Sequence, residues 1–204
     1  MLTTYNEKEE KYELVQEQDT SITYTYTDYL QWKFTERPEL IRGRIFRTKT
    51  PNSLVQQTYA RIVTRLYTAL SNMPCNVFHA PFDVRLPVKA TPADKDITTV
   101  VQPDICAIYN GAFVDGHGCY GIPDLMIEIL SPGSSVEDMH TKFELYQDAE
   151  VPEYWLVNPA SKNVTFYSLS EAGKYNEGKT FSGQEIIRSK SIERFIIQAA
   201  DIFR

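Results

Sequence analysis

An acidic side chain interrupts the most apolar segment of this sequence. Residues 125–130 are large and hydrophobic except for Glu128, which is the pattern of a strand buried on both faces. Burying a lone carboxylate costs free energy unless it is paired or bound to a metal ion. Such breaks in an otherwise consistent pattern are expected mainly at functional sites. Glu128 is therefore the first candidate for chemistry.

The geometry of β-strands indicates which second acid could join Glu128. Asp124 lies on the same strand at a distance of about 13 Å, which is too far for the two to share one small cation. Asp104 belongs to an earlier strand, and a hairpin closed symmetrically over residues 110–122 places it directly opposite Glu128. Like charges that close are destabilising unless a divalent cation or a shared proton joins them. The pair predicts a Mg²⁺-like site with room for water and a phosphate; alternatively, both acids lie at strand ends and face solvent.

A lysine on the following helix could supply a positive charge. The spacing predicts a helix over residues 135–149. Its inward stripe contains Met139, Phe143 and Tyr146. Lys142 borders this stripe and could polarise a phosphate or help to deprotonate an attacking water. Alternatively, Lys142 is a surface residue paired with Asp138.

The other segments alternate between helical and strand patterns. A short helix is expected at 27–32. A longer helix is expected from Asn52 or Ser53 to 72–74, with an apolar stripe formed by Leu54, Thr58, Ile62, Leu66 and Leu70. A helix, alone or after a strand, is expected at 192–203. A strand or a hairpin is expected at 38–46, and strands are expected at 77–86, 102–109, 123–130, 153–158 and 164–169. This mixture predicts an α/β fold with a mixed β-sheet flanked by helices.

Composition bounds the class of protein. With 204 residues, 42% of them hydrophobic, we expect a single domain over residues 21–204, preceded by a polar acidic tail or extra helix over residues 1–20. The tail carries most of the net charge of −6, so the body is not a strongly basic nucleic-acid binder. The three cysteines are expected to be reduced and mostly buried. No apolar run approaches the roughly 20 residues of a membrane span, so we expect a cytoplasmic protein with no membrane contact.

Several motifs occur together in the order known from one family. They are residues 101–105 (VQPDI), 121–132 (GIPDLMIEILSP), Asp138 with Lys142 and Tyr146, and 151–159 (VPEYWLVNP), with looser matches at 38–43 and 81–86. This arrangement resembles the Uma-type family of restriction endonucleases, in the PD-(D/E)XK, restriction-endonuclease-like superfamily. The resemblance implies a restriction-endonuclease-like core, a Mg²⁺ cofactor that Mn²⁺ could replace, and DNA as the substrate. A homodimer is one arrangement compatible with it.

The resemblance also implies roles for individual residues. Asp104 and Glu128 resemble the metal ligands, Glu39 an additional acid that reaches the site, and Lys142 a catalytic lysine displaced onto the helix. The superfamily places its lysine two residues after the strand glutamate, where this chain has Leu130. The prediction is a metal-dependent endonuclease that hydrolyses DNA. The alternative is a catalytically inactive nuclease-fold protein that acts as a binding or interaction module.

Some remaining residues carry weaker signals. A positively charged edge either contacts phosphate or is an exposed strand face: Arg42, Arg44, Arg47 and Lys49. Relatives often carry a histidine near residues 55–57, where this chain has VQQ. Tyr154 and Trp155 are expected in the core. No aromatic platform is evident near the acids, which leaves glycoside hydrolysis with little support.

Overall fold

Two six-stranded mixed sheets organise the part of the chain that the structure describes. The computed structural model describes residues 3–6, 11–14, 22–32, 38–47, 52–86, 93–109, 114–132 and 134–204. The strands are β1 (Thr3–Asn6), β2 (Lys11–Leu14), β3 (Pro38–Ile41), β4 (Arg44–Arg47), β5 (Asn76–His79), β6 (Val84–Arg85), β7 (Val100–Val101), β8 (Ile105–Ile108), β9 (Val114–Asp115), β10 (Gly118–Tyr120), β11 (Leu125–Ile129), β12 (Glu153–Asn158), β13 (Asn163–Ser168), β14 (Lys179–Ser182), β15 (Ile186–Arg188) and β16 (Ile196–Gln198). The helices are α1 (Tyr26–Tyr29), α2 (Ser53–Leu70), α3 (Val136–Asp148) and α4 (Ala199–Phe203), with a 3₁₀ turn at Asp94–Asp96.

The central sheet carries the two strands on which the sequence argument depends. Its order is β14-β13-β12-β11-β8-β5, and α3 connects the parallel neighbours β11 and β12. Strand β11 pairs antiparallel with β8, with Ile127 opposite Ile105 and Met126 opposite Cys106. The next position in this register is Glu128 opposite Asp104, as the hairpin geometry predicted, although β9 and β10 leave the connection to join the second sheet.

Alternation along these strands gives the central sheet two different faces. One face packs Ile105 and Ile127 in a core with α2 and the C-terminal segment. The opposite face packs Met126 and Cys106 in a second core that α3 and the second sheet complete. Glu128 shares the face of Met126, because side chains alternate along a strand. Its carboxylate therefore lies in the layer between the central sheet, α3 and the second sheet.

The second sheet, ordered β4-β3-β7-β6-β10-β9, brings an N-terminal acid into this layer. Strands β3 and β4 form the predicted hairpin, with Glu39 opposite Phe46. Its turn has positive φ at Arg42 (49°) and Gly43 (76°), the conformation that tight two-residue hairpin turns require. A Cβ at Gly43 would stand 2.4 Å from the Thr23 side chain, so glycine is required there.

Local capping explains where the two long helices begin. The Asn52 side chain accepts a hydrogen bond from the Val55 N–H (2.9 Å) at the start of α2. Ser135 and Asp138 form a capping box at the start of α3, which confirms the predicted helix. The predicted stripe of α2 is wrong at one position: Leu54 is 41% exposed and Val55 is buried instead. The buried positions 55, 58, 62, 66 and 70 hold a helical period that Leu54 does not fit.

Other differences arise where the chain changes sheets. The predicted strand 77–86 is two strands, because the chain leaves the central sheet after β5 and joins the second sheet at β6. Within residues 1–20, the described residues pair as β1 and β2, so the helix considered for this stretch is not found there. Strand β16 followed by α4 confirms the predicted C-terminal end, whereas β14 and β15 were not foreseen. The α/β class with mixed sheets is confirmed; the division into a tail and one domain stays a prediction.

The sequence also makes predictions about the cysteines, about membrane-spanning segments and about two core aromatic residues. Cys75, Cys106 and Cys119 are free and buried, as expected of reduced thiols. Among the described residues, no helix is long and apolar enough to cross a membrane. Tyr154 and Trp155 are 1% and 0% exposed, which confirms their place in the core.

Candidate active site

The four residues selected from the sequence line one cavity of about 480 Å³. Glu128 projects from β11, Asp104 directly precedes β8, Glu39 comes from β3, and Lys142 comes from α3. They therefore converge from three layers of the fold. The structure brings all four together.

The Lys142 ammonium bridges two of the acids. Its Nζ lies 2.7 Å from both carboxylate oxygens of Glu39 and 3.0 Å from Oε1 of Glu128. The lysine side chain is only 12% exposed. The alternative of a surface ion pair between Lys142 and Asp138 is wrong, because Asp138 caps α3 while Lys142 points into the cavity. Burial lowers the pKa of Lys142, but the charges of Glu128 and Glu39 outweigh it and raise the pKa well above its usual value. The ammonium stays protonated.

A tyrosine hydroxyl completes the surroundings of Glu128. The buried Tyr146 donates a hydrogen bond to Oε1 of Glu128 (2.5 Å) and accepts a long one from Lys142 Nζ (3.4 Å). Burial raises the pKa of Glu128, and the positive charge of Lys142 opposes that rise. The sequence placed Tyr146 on the inward stripe without assigning it this contact. The available signal was its position one helical turn after Lys142.

Asp104 is held at the edge of the β8–β11 ladder. Its Oδ2 accepts a hydrogen bond from the N–H of Ile129 (2.7 Å). Burial, and next the negative charge of Glu128, raise the pKa of Asp104 to about 7. The two carboxylates thus interact as their opposed register requires.

Glu39 is tied to a polar network that the sequence did not reveal. It is 1% exposed, and its Oε1 accepts the backbone N–H of Gln102 (2.6 Å). The Gln102 side chain donates to Oδ1 of Asp83 (2.7 Å) and to the Tyr29 hydroxyl (3.0 Å). Glu39 Oε2 is buried and accepts no aligned hydrogen bond, although Lys142 Nζ lies beside it. Gln102 lies in the motif at 101–105 and Asp83 in the looser match at 81–86. Their place in these motifs was the only sequence signal for this network.

The donor set supports a two-carboxylate site for a hard cation. Within the described residues, no three His, Cys, Asp or Glu side chains are grouped closely enough to hold a metal ion. Glu39 and Glu128 are instead joined by the Lys142 ammonium. Asp104 and Glu128 remain as a pair of opposed, partly buried oxygen donors. Mg²⁺ is typically held by one or two carboxylates together with water and substrate phosphates. Because three carboxylates surround one ammonium in this cavity, an added divalent cation would relieve their repulsion.

Aromatic rings border the same cavity, contrary to the expectation from the sequence. Phe46 from β4, Tyr59 from α2 and His79 from β5 all line it. The Tyr59 and His79 rings meet edge to face, with centroids 5.5 Å apart. These residues are far from Asp104 and Glu128 along the chain, so only the fold brings them near the acids.

The positively charged edge is partly engaged in other contacts. Arg42 forms an ion pair with Asp148 (2.6 Å), and both side chains are more than half exposed. Such surface pairs contribute little free energy and can open to accept another anion. Arg44 donates a hydrogen bond to the carbonyl of Ile22 (3.3 Å). The Arg47 side chain and Lys49 lie outside the described residues, so a phosphate-contacting edge stays a prediction.

Comparisons with known proteins cover most of the chain. The sequence model of the Uma2 family, whose description is "Putative restriction endonuclease", matches residues 26–200. The crystal structure of "a putative nuclease belonging to DUF820" from Anabaena variabilis is similar, with a TM-score of 0.70 and 17% identity, covering 88% of this chain and 97% of that one. At that identity the likeness shows a shared fold. No match was found among curated proteins. Because the family model spans most of the sequence and the motifs fall within it, the chain belongs to the Uma2 family.

Proposed function

We propose that this protein is a metal-dependent endonuclease that hydrolyses phosphodiester bonds in DNA. One observation carries the proposal: two opposed, partly buried carboxylates and a protonated lysine line one cavity in a member of the Uma2 family. Two carboxylates and an ammonium are the groups that phosphodiester hydrolysis uses to hold a cation and to balance phosphate charge. DNA as the substrate rests on the family alone.

The chain's own residues divide the work in this proposal. Asp104 and Glu128 would hold Mg²⁺ or Mn²⁺, which when bound polarises a phosphate oxygen and lowers the pKa of a coordinated water. Lys142 donates hydrogen bonds to the developing phosphate charge. Its raised pKa argues against the base role that the sequence left open, because a protonated amine cannot accept a proton. Tyr146 holds the Glu128 carboxylate in place.

The contacts of Glu39 favour a positioning role over metal ligation. Its carboxylate holds the Lys142 ammonium at 2.7 Å, and the Gln102 N–H fixes the carboxylate from behind. Glu39 is thus proposed to keep Lys142 charged and aimed into the cavity. This replaces the role of third metal ligand that the resemblance implied.

Glu39→Gln distinguishes these two roles. We expect cleavage to fall by about 10- to 100-fold while Mn²⁺ affinity stays within about twofold, because the change acts through Lys142. Titration calorimetry with Mn²⁺ and single-turnover cleavage measure the two quantities. Glu128→Gln is the matched comparison and should lose most of its Mn²⁺ affinity. Equal losses of Mn²⁺ affinity in both variants would restore Glu39 as a metal ligand.

Cleavage by the unmodified protein tests the proposed function directly. Supercoiled plasmid and a single-stranded circle are incubated with the full chain in Mg²⁺, in Mn²⁺ and in EDTA. We expect metal-dependent nicking that Glu128→Ala abolishes and that the exposed-site control Glu171→Ala retains. No cleavage by the wild type in either metal would reject the enzyme and favour the alternative, a catalytically inactive nuclease-fold protein that acts as a binding or interaction module. A cytoplasmic location, the absence of membrane contact and a homodimer stay predictions of the same proposal.

A further inference from the structure

The described lining of the cavity that holds the acids has too few positive charges to bind successive phosphates of a duplex backbone. Among the described residues that line it, Lys142 is the one lysine or arginine. Four carboxylates line it as well: Glu39, Asp104, Glu128 and Asp138. Binding to duplex DNA depends on several lysine or arginine contacts to phosphates. The Lys142 ammonium can balance the charge of one phosphate bound at the acids, and the described lining offers no further lysine or arginine for the neighbouring phosphates.

The rest of the lining combines apolar and aromatic residues with the polar side chains of Gln56, Gln102, Ser131 and Ser134. Tyr59 and Phe46 are half-buried in the wall, and the more exposed His79 ring lies against Tyr59. His79 lies opposite Ile105 in the β5–β8 ladder, and the N–H of the following Ala80 donates a hydrogen bond to the Asp104 carbonyl (3.2 Å). The aromatic wall therefore stands next to the acids and within reach of a group attached to a phosphate held there.

Bases stack on aromatic side chains in proteins that bind single strands, and the stacking tolerates any base because each has a π-face. A base inside a duplex offers no such face unless it is unpaired and turned out, which costs a few kcal/mol. The cavity volume of about 480 Å³ falls within the range that encloses small ligands. It suits one nucleotide rather than a paired stem.

We propose that the site takes an unpaired nucleotide, with its phosphate at Asp104, Glu128 and Lys142 and its base against Tyr59, Phe46 and His79. The substrate class is then single-stranded nucleic acid, or an unpaired stretch within a longer molecule. This inference rests on the proposed function, since it assigns the phosphate to the same acids. It adds the base site and the requirement for an unpaired strand.

Binding without turnover tests the inference separately from cleavage. Fluorescence anisotropy is measured in EDTA and in Ca²⁺ with a labelled 12-nucleotide DNA, the same strand in a blunt duplex, and an RNA of the same sequence. We expect the single DNA strand to bind at least tenfold tighter than the duplex. The RNA arm reports whether the sugar matters. Equal affinity for single strand and duplex would overturn the inference, even if the protein proves to be a nuclease.

Variants of the aromatic wall locate the base site. Tyr59→Ala should weaken single-strand binding roughly tenfold, whereas Tyr59→Phe, which keeps the ring, should bind like the wild type. His79→Ala should weaken binding about threefold and carries little risk of misfolding, because that side chain is exposed. The control is Tyr67→Ala on the same helix, since Tyr67 is 51% exposed and lies outside the cavity lining.

Unchanged affinity in both Tyr59→Ala and His79→Ala would contradict the proposed base site. If the wild type does not cleave in either metal but still prefers single strands, the nuclease is rejected and the base site is kept.

Discussion

Asp104→Asn is expected to slow cleavage strongly and to stabilise the metal-free protein at neutral pH. Asparagine keeps an oxygen that can accept the Ile129 N–H but removes the negative charge that would hold the cation. We expect a loss in rate of about 10³-fold, since the charge stabilisation that a metal ion supplies is worth several kcal/mol. Few substitutions should affect activity and stability in opposite directions so clearly.

The gain in stability follows from the raised pKa of Asp104. The carboxyl has a pKa of about 7 in the folded protein against 3.8 for an unperturbed aspartate, because burial and Glu128 disfavour its charged form. The folded state therefore holds the proton more tightly, and wild-type stability falls as the pH rises from about 4 through 7. Asparagine does not ionise, so Asp104→Asn does not lose stability in this way as the pH rises. We expect a gain of about 2 kcal/mol at pH 8, and almost none at pH 4.

Thermal unfolding in EDTA at pH 4 and pH 8 measures this difference. A gain of that size corresponds to about 5 °C at pH 8 for a chain of this length. Asp124→Asn is the matched control: its Oδ2 accepts the Tyr109 N–H (2.8 Å), and it lies outside the cavity lining. The control should leave cleavage unchanged and gain no stability at pH 8. The same melting temperature for Asp104→Asn and wild type at both pH values would contradict the electrostatic account of the site.

Glu153→Ala should have the largest effect on stability. Glu153 is the first residue of β12 and is 0% exposed. Its carboxylate accepts hydrogen bonds from Trp155 Nε1 (2.7 Å) and from the N–H groups of Lys190 (2.6 Å) and Ser191 (2.8 Å). Alanine would leave three N–H groups without their acceptor, and each such loss costs about 1–3 kcal/mol. We expect a decrease of about 4 kcal/mol in the free energy of unfolding.

Urea unfolding followed by circular dichroism measures this loss. The exposed control Glu171→Ala should stay within about 0.5 kcal/mol of wild type. A loss below about 1 kcal/mol for Glu153→Ala would show that the segment around Lys190 rearranges to satisfy its own N–H groups.

Glu153 and Glu128 show why a buried acid in a strand is an incomplete signal of function. Glu128 lies within the apolar strand β11, and Glu153 begins the mostly apolar strand β12 beside it in the central sheet. Donors fixed by the fold satisfy Glu153 within the protein core, so its role is structural. Glu128 faces a second carboxylate across a cavity, and a lysine and a tyrosine hold it from α3. The sequence pattern is similar, and only the surroundings differ.

Features that depend on residues close along the chain, or on one strand pair, could be predicted from the sequence. Strand periodicity and symmetric closure place Asp104 opposite Glu128, because register is fixed when both faces of the strands are buried. The helical spacing gives α3, and the strand pattern gives residues 38–46 as a strand or a hairpin. The motifs in their order identify the family. Glu39 entered the site only through that resemblance.

The sequence alone thus determined the fold class, the opposed pair Asp104 and Glu128, and the helix that carries Lys142. Only the tertiary structure decided that Lys142 meets Glu39, 103 positions away in the chain, and that aromatic rings wall the cavity. It also decided that the segment after β5 crosses to a second sheet. The physical reason is that periodicity records which face of an element is buried, whereas the partner on that face depends on how separate layers pack. The charge state of Lys142 and the raised pKa of Asp104 follow from that packing, and with them the chemistry proposed for the site.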